Sequence, residues 1–292
     1  MNQLLDRFHY AFFVHGMEAA VMAGALCGLI GVFITLRGMS YIGHGLSHSI
    51  FGGFAAAATA GINPLLGAGV WGLLSALAIT SVTRRSRIGA DAAIGVITTA
   101  SFALGVALLT KFGSKGPSFD ALLFGSILGV STGDLVLLAA ALVGSVLVIT
   151  LLYRRFLFAT FDPEVADVSG VDVKKMDALL MVILSLAILS TLTIIGVTLV
   201  AATLVIPAVV ARMLTNSFAR MLWISTILGA VCGGVGMYLS YDINIPSGTT
   251  IVLVNAVVFL VVLLVTGGRA LRRAAGMDDH SDLPASRVPV AA

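Results

Sequence analysis

His44 and His48 stand four residues apart in the stretch RGMSYIGHGLSH, Arg37 to His48, between long hydrophobic segments. Residues at i and i+4 of a helix share a face, so both imidazoles can reach one small ion or one polar partner. Titratable groups inside a membrane are costly and usually face a cavity or a pathway. Gly38, Gly43, Gly45, Gly52 and Gly53 surround the pair. That density permits close helix packing, and it equally permits a break in the helix that would carry the histidines toward the membrane middle.

Three chemistries could use such a pair, and a bland reading stands beside them. A metal pathway suits imidazole, with carboxylates or water completing a labile shell. A di-iron hydroxylase needs several more histidine boxes, whereas the chain has 5 histidines and His9, His15 and His280 lie far from any second box. A serine hydrolase could use Ser47, but Gly45-Leu46-Ser47-His48 lacks a nucleophile turn and the adjacent histidine is badly placed as its base. The bland reading has the imidazoles at headgroup level or bonded to a neighbouring helix.

The elements that must position the pair follow from composition. Of 292 residues, 59% are hydrophobic and 11% charged, and mean hydropathy is +1.07; soluble domains carry about 25% charged residues. The chain reads as an all-α, polytopic integral membrane protein. Continuous apolar runs exclude a barrel, whose strands alternate. The pI of 9.1 reflects loop residues that orient membrane proteins, not a nucleic-acid surface. Cys27 and Cys232 both sit in apolar segments and make no disulfide framework or CxxC pair. No removable signal peptide is expected in Met1 to His15, so the first helix is read as retained.

Spans are predicted at Met17–Leu36, Ile42–Ala60, Pro64–Val82, Ala92–Thr110, Leu135–Tyr153, Ala178–Ile195, Leu199–Ala211, Leu222–Ser240 and Thr250–Thr266. The seventh is short for a span and reads as a half-helix or a bent continuation, so eight to nine helices cross. Fourteen of the 17 lysines and arginines fall on the side of Arg84, Arg85 and Arg87, leaving Arg7, Lys111 and Lys115 opposite; the positive-inside rule makes the richer side cytoplasmic. Nine crossings put the N-terminus outside, eight put it inside. The domains are residues 1–16 as an N-terminal segment, 17–268 as the membrane domain and 269–292 as a disordered cytoplasmic tail. His280 beside Asp278, Asp279 and Asp282 reads as part of that solvated tail. Two further stretches, Phe161 to Asp177 and Ile206 to Arg220, read as short helices along the inner surface, the second beginning at Pro207.

Several segments together resemble one family, the ABC-3 type permeases of bacterial manganese, zinc and iron importers, over Met17 to Leu264. Arg37-Gly38-Met39-Ser40, Gly43 and Leu46-Ser47-His48 are similar to its R-(R/G)-M-(S/A)-x-x-G-D-A-L-S-H segment. Asp91 to Gly95, Leu123 to Val130, Phe161 to Gly170 and Val197 to Ala208 resemble its (E/D)-x-A-I-G, L-F-G-N/S-I-L-G-V, F-D-P-x-x-A-x-x-x-G and V-G-x-x-L-V-x-A-L-L-I-I-P-A patterns. The resemblance implies a type II importer-like fold in the bacterial cytoplasmic membrane. It implies a cytoplasmic ABC ATPase dimer, an extracytoplasmic metal-binding protein and a second permease chain, identical or paralogous, as partners. The cargo would be a divalent metal, with no permanently bound cofactor, and ATP hydrolysis would belong to another chain, since no GxxxxGK[ST] loop is present. His44 and His48 would be the metal ligands. Pro207 and Arg212, supported by Asp162 and Glu164, would couple to the ATPase.

One departure bears on the ion. Where the family usually has aspartate, this chain has His44, which replaces a hard oxygen by a borderline nitrogen and should weaken manganese preference relative to zinc. Asp91 is a poor substitute acid beside the arginine loop. The alternatives are a secondary metal or solute carrier, and an ABC importer of a metal chelate of siderophore or cobalamin type.

Overall fold

The computed structural model describes residues 10–85, 90–112, 123–126 and 130–278. Their long elements are all helices: α1 Ala11–Leu36, α2 Ser40–Ala60, α3 Pro64–Arg85, α4 Ala90–Phe112, α5 Thr132–Leu151, α6 Tyr153–Phe161, α7 Pro163–Val168, α8 Val173–Ile195, α9 Val200–Leu214, α10 Phe218–Ile243 and α11 Ser247–Asp278. Apolar length makes this obligatory, because a backbone in hydrocarbon must bond within itself. Seven helices, α1, α3, α4, α5, α8, α10 and α11, are long and apolar enough to cross a membrane. The eighth, α2, has 21 residues, about 31 Å at 1.5 Å per residue, and falls short in hydropathy only because it carries the histidines and several hydroxyls.

The short seventh span resolves as a separate helix. Gly196 breaks the chain after α8 with φ 85° and stands so close to the Leu123 carbonyl that a Cβ would lie 2.4 Å from it, which only glycine allows. Thr198 donates its hydroxyl to Leu123 O at 2.7 Å. α9, 15 residues long, then runs to the end of the bundle where Phe218 meets Phe33 at 5.5 Å between ring centroids. The segment therefore passes from one end of the bundle to the other, which favours nine passages over eight.

α1 and α8 are the most buried spans. α1 lies against α10 antiparallel, through Gly24 on Gly229, Gly28 on Ser225 and Ala20 on Gly233. Such small-residue contacts stand in for a hydrophobic drive that lipid does not supply. α2 packs against α3 and, in parallel, against α4.

Two expectations need correction. Pro207 does not begin a surface helix; it lies buried inside α9, which starts at Val200. Only Arg212, Leu214 and the Asn216–Ser217 turn are exposed at its far end. Of the two arrangements the glycines around the histidines permit, close packing is the one adopted, because α2 is continuous. α11 runs to Asp278, past the boundary assigned to the tail. Residues 279–292, with His280, lie outside the described residues, as do Arg7, Arg87, Lys115, residues 127–129 and the side chain of Asp91.

Candidate metal site

Continuity of α2 fixes the pair. His44 and His48 occupy its second and third turns, about 6 and 12 Å from its start. They lie toward the cytoplasmic end, in the part of α2 that follows Arg37. Their Nε2 atoms stand 3.0 Å apart, with ring planes crossed at 84° and centroids 4.4 Å apart. Two imidazoles sharing one tetrahedral ion at about 2.05 Å need nitrogens about 3.3 Å apart. The nitrogen separation is thus within a few tenths of an ångström of what one shared ion needs.

Neighbours hold that geometry. Gly52 lets α4 approach so closely that a Cβ there would lie 2.3 Å from Ser101 O. The approach brings Phe102 over His48, with centroids at 4.5 Å, and Phe51 braces Phe102 at 5.2 Å. Tyr41 flanks His44 at 5.9 Å. Ser47 is wholly buried and donates its hydroxyl to His44 O at 2.8 Å, which removes it as a nucleophile.

The proton inventory is informative. His48 Nδ1 is buried without a partner among the described residues. A buried N–H left unpaired is rarer and costlier than an unpaired acceptor. The pair as it stands is therefore best satisfied with His48 protonated on Nε2 and donating to His44 Nε2. An ion held by both Nε2 lone pairs would leave the His48 proton on Nδ1, which has no acceptor among the described residues. Tight metal sites orient such an N–H on a carboxylate or carbonyl. His48 lacks that support among the described residues, and no third His, Cys, Asp or Glu joins the pair there. Two ligands with an open shell can take an ion and release it, but suit a structural metal poorly.

The other residues singled out from sequence form a second region. Asp162 caps α7 by accepting from Val165 N at 3.0 Å, with Pro163 in the first turn. Asp162 and Glu164 are exposed, as are the apolar Phe161, Val165 and Val168, the last by 87%. Phe161 meets Phe218 with centroids at 5.8 Å, which places the α6–α7 hairpin beside the turn that follows Arg212. Arg212, Asp162 and Glu164 thus lie on two neighbouring cytoplasmic elements, whereas Pro207 sits buried halfway along α9.

Sequence reasoning missed two contributors. Phe102 gave no signal among other lipid-compatible residues of α4. Arg37 was read only for orientation, yet its buried guanidinium pairs with Asp177 at the start of α8 and donates to Thr160 Oγ1 of α6 at 3.2 Å. It ties the α1–α2 turn, and so the first residues of the histidine helix, to the cytoplasmic hairpin. Its place in the same short motif as the histidines was the available clue.

Comparison with known proteins bears on this arrangement. A sequence model described as "ABC 3 transport family" matches residues 9–266. The chain is 38% identical over 258 residues to the manganese transport system membrane protein MntC of Halalkalibacterium halodurans, covering 88% of this chain and 87% of that one. It is 38% identical over 257 residues to the manganese import system permease protein ScaB of Streptococcus parasanguinis, covering 88% and 91%. A solved structure of PsaBC from Streptococcus pneumoniae in complex with Fab superposes with a TM-score of 0.81 at 32% identity, over 90% of this chain and 95% of that chain.

Proposed function

The chain belongs to the ABC 3 transport family, and from that premise we propose that it is the membrane-spanning permease subunit of an ATP-driven divalent-metal importer in the bacterial cytoplasmic membrane. The observation that carries the metal reading is the His44–His48 pair at 3.0 Å between Nε2 atoms. Family membership sets aside the secondary carrier. Two rings in hydrogen-bond contact fit a bare ion better than a bulky chelate.

The mechanism is alternating access. An extracytoplasmic metal-binding protein delivers the ion, and two permease chains, identical or paralogous, enclose the path. A separate ATPase dimer closes on ATP against the cytoplasmic face. The ion meets His44 and His48, displaces their mutual hydrogen bond, and leaves when the helices shift, because only two protein ligands hold it. The docking surface is the exposed α6–α7 hairpin with Asp162 and Glu164, together with Arg212 and the turn after α9. Motion there reaches α2 through Arg37, which bonds both Thr160 and Asp177.

His44 in place of the family's aspartate favours nitrogen-preferring ions such as zinc over manganese. The relatives named for manganese do not decide this point, since selectivity follows the ligand set. The docking assignment is tested with the permease reconstituted with its ATPase and binding protein in vesicles. Arg212→Glu is expected to leave expression intact and to uncouple ATP hydrolysis from metal uptake; unchanged coupling removes Arg212 from the docking surface.

A further inference from the structure

α5 and α10 both flank α1 but share no packed interface with each other. Between them, over Leu29 of α1, the bundle leaves a groove of about 750 Å³. Val146, Ile149 and Leu222 form its walls along the membrane-embedded part of α5 and α10, and Arg154 and Arg155 stand at its cytoplasmic end beside Tyr153 and Trp223. Both arginines are exposed, and neither is in an ion pair among the described residues. Trp223 is 70% exposed. An aromatic pair and two cations meeting an apolar trough mark the level of lipid headgroups.

We propose that this groove binds an anionic phospholipid of the inner leaflet, with acyl chains along Leu29, Ile149 and Leu222 and its phosphate on Arg154 and Arg155. Charge complementarity selects the occupant. A free anion would use the rim and leave the apolar walls bare to lipid, while a zwitterionic lipid would fill the trough but gain little from two guanidinium forks. The groove opens on the face turned away from the candidate metal site. α2 packs on α3, α4, α8 and α9 but on neither α5 nor α10. Two permease chains can therefore meet through the histidine face without covering it. The arginines lie in the first turn of α6, and Phe156 one residue later is fully buried against Phe33. A bound headgroup thus braces the root of the α6–α7 hairpin. The lipid site does not depend on what the chain transports, since binding is read on the permease by itself.

The test is lipid retention by the full-length permease in detergent, followed by native mass spectrometry during titration with phosphatidylglycerol or phosphatidylcholine. The wild type is expected to hold phosphatidylglycerol in preference to phosphatidylcholine. R154Q/R155Q should lose about thirtyfold of that retention, from the attraction of two basic residues to an anionic headgroup. Ala219→Trp, at an exposed position lining the groove, should reduce retention of both lipids. Equal retention of the two lipids by the wild type would mean ordinary annular contact and overturn the proposal. So would undiminished phosphatidylglycerol retention in R154Q/R155Q, or its displacement by millimolar inorganic phosphate, which would indicate a soluble-anion site. Should the double variant fail to fold, the wild-type lipid preference and Ala219→Trp still decide.

Discussion

Two helix pairs in this molecule are built from the same small residues and end in opposite states. In the α1–α10 seam, a Cβ on Gly24 would lie 2.0 Å from Gly229 O and one on Gly229 would lie 2.1 Å from Gly24 O. The seam's polar group is satisfied, since the Ser225 hydroxyl donates to Gly28 O at 2.6 Å. In the α2–α4 contact, Gly52 and Gly105 bring the backbones close, a Cβ on Gly52 lying 2.3 Å from Ser101 O and one on Gly105 lying 2.8 Å from Gly52 Cα, yet His48 Nδ1 and Ser49 Oγ are buried without a partner among the described residues. Close packing alone therefore does not make a site. The first seam commits the Ser225 hydroxyl to holding the scaffold, whereas the second leaves His48 Nδ1 uncommitted where an ion can reach two imidazoles. Buried polar atoms in hydrocarbon are costly, and a segment that keeps them unpaired is under a demand other than stability.

That contrast can be broken at either side. The largest effect is expected from Gly24→Leu, which drives a side chain into a backbone carbonyl that cannot move aside. A cost of about 4 kcal/mol or more should remove folded permease, visible as loss of a monodisperse peak in fluorescence-detected size exclusion. A normal peak would mean that the seam yields and is not the rigid half of the comparison. Arg37→Gln comes next. It takes the ion pair from Asp177 and should lower stability by about 2 kcal/mol, read as a lower melting temperature, with uptake falling further than stability alone requires. Uptake that merely tracks stability would reduce Arg37 to a staple. The smallest pair of effects is the sharpest. Ser225→Ala should destabilise by about 1 kcal/mol by removing a satisfied hydrogen bond, while Ser49→Ala should be neutral or slightly stabilising because its hydroxyl bonds nothing among the described residues. Equal losses in the two thermal melts would erase the distinction between the regions.

Much of this architecture was legible in the sequence because membrane helices announce themselves by apolar length, and the loop arginines oriented them. The histidine face was legible too, since i and i+4 spacing is a property of any helix. Three features were not. Pro207 reads as a helix start on local rules, but the Gly196 break supplies the start earlier, so the proline sits inside α9. The dense glycines around His44 permit either a break or close packing, and only the partner helix, through Ser101 and Phe102, decides for packing. Arg37 marked the cytoplasmic side correctly while its bonds to Thr160 and Asp177, 123 and 140 positions away, depended on the tertiary fold. Local chemistry is written in short spacings; the long-range ties that connect the histidine helix to the cytoplasmic hairpin are not.

The central claim is that His44 and His48 together bind the transported ion. The most direct test is competitive uptake of manganese, zinc and iron(II) by vesicles holding the permease with its ATPase and binding protein, for wild type, His48→Ala and His44→Asp. His48→Ala is expected to abolish uptake while the protein still folds, and His44→Asp to shift the manganese-to-zinc ratio toward manganese by about tenfold. Wild-type uptake of all three metals by both variants would contradict it and leave the pair a structural contact between α2 and α4.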